Sequence, residues 1–252
     1  MVWQWLHRWG SPRWFYEKTG PWVAWLGLIA LVLLVWGLVW SLGYAPIEHK
    51  QGQSYRIIFI HVPAAFMGQG VYLLMAFCGA VGLIWRVKVC FMMTKAAAPY
   101  GAALTFLALV TGAIWGKPTW GTWWEWDARI TFMLILLFLY IGIIALQAAL
   151  PSRDTADKAC ALLALIGSVN IPLIKNSVEW WYTLHQPATI KIIGKSAMHE
   201  SMLYPLLLMI FAFWILTAFA LLLTTRVEIL RREFRTRWVQ DLLAAEREEG
   251  KS

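Results

Sequence analysis

Residues 22–44, WVAWLGLIALVLLVWGLVWSLGY, contain no charged side chain. A helix needs roughly 20 such residues to cross the hydrocarbon of a bilayer, and in lipid every backbone N–H and C=O must find its partner inside the element. The stretch therefore reads as a transmembrane helix, and it sets the class of the chain. Five further apolar runs follow, at about 57–85, 96–115, 130–150, 159–181 and 200–224, and nothing between them is long enough for a separate soluble domain. The expected fold is an all-α integral membrane protein, one domain of six transmembrane helices over residues 1–252. Only 14% of its residues are charged, against about 25% in an ordinary soluble domain. The first run is too long for the apolar core of a signal peptide and begins after a polar and aromatic head, so it is expected to stay in the mature protein.

Six spans put both termini on one side, and Lys and Arg concentrate there. The head carries Arg8, Arg13 and Lys18; the 86–95 loop Arg86, Lys88 and Lys95; the 151–158 loop Arg153 and Lys158; the tail 226–252 is rich in arginine. The opposite loops hold fewer, namely Lys50, Arg56, Lys117, Arg129, Lys191 and Lys195. Cytoplasmic termini follow from the positive-inside rule, which leaves about 45–56, 116–129 and 182–199 as the external loops. The net charge of +8 follows topology and forms no groove-sized patch, so a nucleic-acid partner has no support. The tail reads as a helix continuing out of the last span. Arginines snorkelling to the headgroups of the lipid bilayer account for it, and so does a docking surface for a cytoplasmic partner.

Cys78, Cys90 and Cys160 are isolated, with no CxxC or CxxCH, which argues against thiol exchange and covalent c-type haem attachment. No GxxxxGK[ST] loop is present, so any ATPase the protein works with is another chain.

The segment WGKPTWGTWWEWDARIT, 115–131, sets Trp115, Trp120, Trp123, Trp124 and Trp126 among Glu125, Asp127 and Arg129 on the external side. Trp120, Trp124 and Asp127 follow i, i+4, i+7, and Trp123 and Trp126 follow i, i+3. This spacing predicts a short interfacial helix in the membrane plane within 116–129, after a turn at Gly121 and GKP. His61, in HVPAAF, falls near the outer end of the second span, with Pro63 predicting a local bend beside it. His185, in SVEWWYTLHQPAT, falls just past the outer end of the fifth; if that helix continues, Trp181 and His185 share a face.

Interfacial anchoring accounts for each of these features singly. Together, two external imidazoles and a tryptophan platform fit haem, whose iron takes axial histidines, whose faces are apolar and whose propionates pair with arginine. Arg56 and Arg129, at the outer ends of spans, are the propionate candidates, with snorkelling as the alternative for either. Pro172 predicts a bent fifth span, from which Lys175 reaches headgroups or a propionate. Zinc would want three or four ligands at short spacing, which His49 and His199 do not add; His199 remains a rival axial ligand.

The 115–131 segment resembles the WWD signature of the haem-handling membrane proteins of cytochrome c maturation. With six spans, SYRIIFIHVPAA and SVEWWYTLHQ, the chain resembles the protein C (CcmC) family among them. That resemblance implies a bacterial inner-membrane protein holding noncovalent haem b at the periplasmic face. Its axial ligands would be His61 and His185, and its signature positions Trp120, Gly121, Trp124, Trp126 and Asp127. It also implies delivery to the haem chaperone CcmE, with the ABC-type subunits CcmA and CcmB and the one-span subunit CcmD as partners. A membrane cytochrome for electron transfer and a haem translocation channel are the alternatives.

Overall fold

The computed structural model describes residues 10–181, 183–185 and 198–249. Arg8, Lys191, Lys195 and the last residues of the tail lie outside them. Helix α1 spans Pro12–Leu38 and runs on as a π-helical turn, Val39–Tyr44. A 3-10 turn, Gln53–Ile57, leads into α2, Ile58–Trp85. Then come α3, Lys88–Trp120, and α4, Ala128–Ala149. The fifth span is two helices, α5, Arg153–Gly167, and α6, Asn170–Trp180. The sixth is α7, Glu200–Glu233, and a short helix α8, Arg237–Glu249, follows it. Six helical stretches are long and apolar enough to cross a membrane, and no strand occurs among the described residues. The helices overrun the apolar runs, because hydropathy marks only the part that meets hydrocarbon while α3 and α7 extend past it.

Helices α2 and α3 form the centre, with α7 against both and α1 packed on α7. Small residues let these surfaces approach, as expected where lipid removes the hydrophobic drive for helix association. A Cβ on Gly79 would come within 3.0 Å of the Ala161 carbonyl, and one on Gly27 within 3.0 Å of the Phe219 ring. Two buried tyrosines cross the bundle. Tyr140 donates its hydroxyl to the Gly68 carbonyl at 2.6 Å, Tyr72 donates to Leu163 at 3.2 Å, and their rings meet edge to face at 5.1 Å. Hydroxyls in an apolar interior need such acceptors, and here the acceptors tie α2 to α4 and α5.

The fifth span breaks at Ser168 and Val169, upstream of the expected bend at Pro172. Proline has no N–H and its ring collides with the carbonyl four residues back, so the helix restarts with Pro172 in its first turn, where that cost vanishes. The Asn170 side chain fixes the new direction by donating to the Phe132 carbonyl at 2.9 Å. One face of α2 registers the consequence. His61, Ala65, Gln69, Tyr72 and Gly79 recur at i, i+4, i+8, i+11 and i+18; Tyr72 and Gly79 meet α5, whereas the first three line a cavity.

The helix expected in the membrane plane at 116–129 does not form. Trp120 is the last residue of α3, Gly121 turns the chain with φ 81°, residues 122–127 are irregular, and Asp127 caps α4. The i, i+4, i+7 spacing straddles the ends of two helices, and GKP lies inside α3. The tail is not one continuous helix either. Thr236 donates its hydroxyl to the Glu233 carbonyl at 2.6 Å, the chain turns, and α8 buries Val239. Nor do all its arginines reach outward: Arg226 stacks on Tyr16, 3.8 Å from the ring centre, and Arg232 pairs with Asp157.

Candidate functional site

The α3–α4 connection is built from its hydrogen bonds. Gly121 donates its N–H to the Lys117 carbonyl at 3.1 Å in the left-handed conformation that glycine adopts without strain. The Thr122 hydroxyl donates to the Trp124 carbonyl at 2.8 Å, folding Trp123 and Trp124 over the end of the bundle. Asp127 then does three things. Its Oδ1 accepts the Ile130 N–H at 2.8 Å, capping α4; its Oδ2 accepts the Thr183 hydroxyl at 2.5 Å and the His185 ring Nδ1 at 3.1 Å. Burial works against the charge, but the bonds from His185, Ile130 and Thr183 outweigh it and hold the Asp127 carboxyl down to about 2.

His185 is placed by this carboxylate and by Trp120, whose ring lies 4.8 Å away. It does not share a helical face with Trp181, because α6 ends at Trp180 and Trp181 is extended. His61 comes from the first turns of α2. Its Nδ1 lies 2.9 Å from the Ala108 carbonyl and its ring 5.9 Å from Trp115, while Gly112 leaves the room that the imidazole fills. A carbonyl and an ionised carboxylate can only accept, so both histidines carry their proton on Nδ1. Nε2 of each is the basic nitrogen, without a hydrogen-bond partner among the described residues.

Both line one cleft with about 680 Å³ of empty space, its open mouth included. Trp120, Trp123, Trp124 and Glu125 form one side, small residues of α2 and α3 the other, and Met133 and Ile174 the depth. The indole N–H of Trp124 is buried without a partner among the described residues. Arg129 lines the cavity too, held by the Lys175 carbonyl at 3.2 Å and the Ser177 hydroxyl at 3.3 Å.

The remaining expected residues sit elsewhere. Arg56 is not at the cavity: it donates to the carbonyls of Leu42 and Ala45 at 2.6 and 2.7 Å, closing the end of α1, because unpaired helix-end carbonyls in an apolar setting compete for any nearby donor. Trp126 meets Trp124 edge to face at 5.4 Å and is exposed outside the cavity lining. Gly121 contributes its turn, and the Lys175 side chain is exposed. Sequence reasoning missed Gly112, Gln69 and Thr183, whose roles depend on partners more than 45 positions away or on a helix face that only the break in the fifth span leaves open.

His199 is the N-cap of α7, its ring paired with Ser201 at 2.8 Å, and it does not line the cavity. His199→Ala is expected to cost about 1 kcal/mol of capping at most and to leave ligand content unchanged, checked by denaturant titration and by absorption of the purified protein.

A flat, apolar ligand with an axial metal and acidic edge groups matches this donor set. The imidazoles supply two open nitrogens, the tryptophans flat apolar area, and Trp124 and Arg129 unspent donors. A zinc site is not matched: no three His, Cys, Asp or Glu side chains converge among the described residues.

Against known proteins, residues 5–240 match the family Heme exporter protein C. The chain belongs to that family. The Heme exporter protein C of Escherichia coli (strain K12) is 46% identical over 242 residues, 96% of this chain and 98% of the relative. That of Haemophilus influenzae (strain ATCC 51907 / DSM 11121 / KW20 / Rd) is 45% identical over 241 residues, again 96% and 98%. That of Paracoccus denitrificans (strain Pd 1222) is 41% identical over 228 residues, 90% and 94%. The likeness thus runs through all six spans and both histidine-bearing segments.

Proposed function

We propose that this member of the Heme exporter protein C family holds b-type haem noncovalently between His61 and His185 at the periplasmic end of the bundle, and presents it for covalent loading onto the chaperone CcmE. Family membership supports a role in haem handling for cytochrome c maturation, in a multi-pass membrane protein. One observation carries the finer reading: two imidazoles, each anchored through Nδ1, leave both Nε2 atoms open at one tryptophan-walled cavity. The distribution of Lys and Arg supports the periplasmic side, since the histidines lie at the end of the bundle opposite the arginine-rich tail. The bacterial inner membrane is the location this implies.

In this reading the haem is cargo, and it supplies its own iron and vinyl chemistry. The chain orients it. Trp120, Trp123 and Trp124 cover the macrocycle; Arg129 and the Trp124 N–H meet the propionates; Asp127 fixes the His185 ring. The ABC-type subunits CcmA and CcmB and the small subunit CcmD are the proposed partners, supplying the ATP hydrolysis for which this chain has no phosphate loop. Presentation is favoured over electron transfer because the cavity lies at the end of the bundle, where its wall of Trp123 and His185 stands outside the helices, and not in the sealed centre.

The test is the reduced and oxidised absorption spectrum of the purified protein with a pyridine haemochrome assay. Low-spin b-type haem is expected in the wild type, with the low-spin spectrum lost in His61→Ala and in His185→Ala. A wild type free of haem after expression with its partners and ample haem would overturn the proposal.

A further inference from the structure

The two histidines are chemically alike in sequence but stand on unlike supports. Nδ1 of His185 donates to the Asp127 carboxylate, which Thr183 and the N-terminus of α4 hold in place. Nδ1 of His61 donates to a peptide carbonyl, that of Ala108, which also takes the Thr111 hydroxyl at 3.2 Å. Hydrogen bonds to ionised acceptors are roughly twice as strong as neutral ones. A carboxylate behind an imidazole draws on its Nδ1 proton, raises electron density at Nε2 and makes it the stronger donor to a metal. A carbonyl shared with another donor does this weakly.

Location adds to the difference. His61 is boxed on α2 between Trp115 and Gly112, so it cannot follow a ligand that shifts. His185 stands outside the helices, next to Trp120.

We infer that His185, backed by Asp127, is the permanent anchor of the haem iron, and that the His61 position is the one that opens to an incoming ligand. This rests on the haem reading above. The step is a ligand exchange: the bond from iron to Nε2 of His61 breaks, a bond from iron to a nitrogen donor of the partner forms, and the oxidation state of the iron does not change. Asp127 is a positioning residue in this scheme, acting on the iron only through His185.

Glycine substitutions in the full-length protein, purified with its co-expressed partners, test it with imidazole as the probe. His61→Gly should keep its haem and regain a low-spin spectrum when imidazole is added, whereas His185→Gly should hold at least tenfold less haem under the same conditions. Asp127→Asn keeps an effective N-cap, since asparagine caps as well as aspartate, so the helix it starts is retained. It should raise the reduction potential of the bound haem, and in the His61→Gly background lower the iron–histidine stretching frequency. Equal haem loss in the two glycine variants, or a potential unmoved by Asp127→Asn, would overturn the inference while the haem reading stands. A wild type lacking low-spin haem would overturn both.

Discussion

Placing valine at Gly112 is expected to turn the bound haem from low-spin to high-spin while leaving the six helices folded. Gly112 faces the cavity from α3, and a Cβ there would lie 3.0 Å from Cε1 of His61 and 3.5 Å from its Nδ1. Alanine would already ask the ring to give by a few tenths of an ångström. Valine adds two methyls, and the imidazole has no slack, because Ala108 and Thr111 hold Nδ1 on the same helix and Trp115 stands across its face. Overpacking of this kind typically costs about 1–3 kcal/mol, and since the strain is relieved by moving His61 off its axis it is charged to the bond between His61 and the iron. That corresponds to roughly a ten- to hundredfold shift away from the form in which His61 binds the iron. The measurement is the absorption spectrum of the bound haem, with haem content by pyridine haemochrome and helicity by circular dichroism alongside. Low-spin character lost with haem and helicity kept is the expected pattern, with Gly112→Ala intermediate, and an unchanged low-spin spectrum in Gly112→Val would show that the iron does not need His61 where it stands.

Gly112 also marks what sequence can and cannot yield. The six spans were legible because backbone desolvation in lipid leaves a signal that depends on each stretch alone. His61, His185, Trp120, Trp124 and Asp127 were legible as residues, since imidazoles and clustered tryptophans on one side of a membrane are chemically conspicuous. Their roles were less so. The helical spacing of Trp120, Trp124 and Asp127 was real but meant something else, because Gly121 and Asp127 end one helix and begin the next. Arg56 had the right position for a propionate partner and the wrong neighbour, the carbonyl end of α1. Gly112, Thr183 and the Ala108 carbonyl carry no local mark at all: each matters through one contact made across the fold.

The same distinction applies at the opposite end of the bundle, where arginines that read as headgroup anchors include one that is structural. Arg232 donates to both oxygens of Asp157, at 2.5 and 2.8 Å, and to Glu228 at 2.7 Å, while Lys95 reaches Glu228 at 2.9 Å. Asp157 and Glu228 are only 8% and 5% exposed, so neither can recover its hydration if a partner is removed. The cluster joins α3, α5 and α7. Arg232→Leu leaves Asp157 with Gln147 alone, at 3.3 Å, and breaking a buried pair from one side costs about 3–5 kcal/mol. Unfolding in bicelles should register that loss directly. Asp157→Leu added to Arg232→Leu should recover a large part of it, because the double variant buries no uncompensated charge and the two sites couple. Additive losses would mean that water reaches the cluster and that its arginine is an anchor after all. The haem spectrum of whatever fraction stays folded should be unchanged in either variant, since the cavity shares none of these side chains.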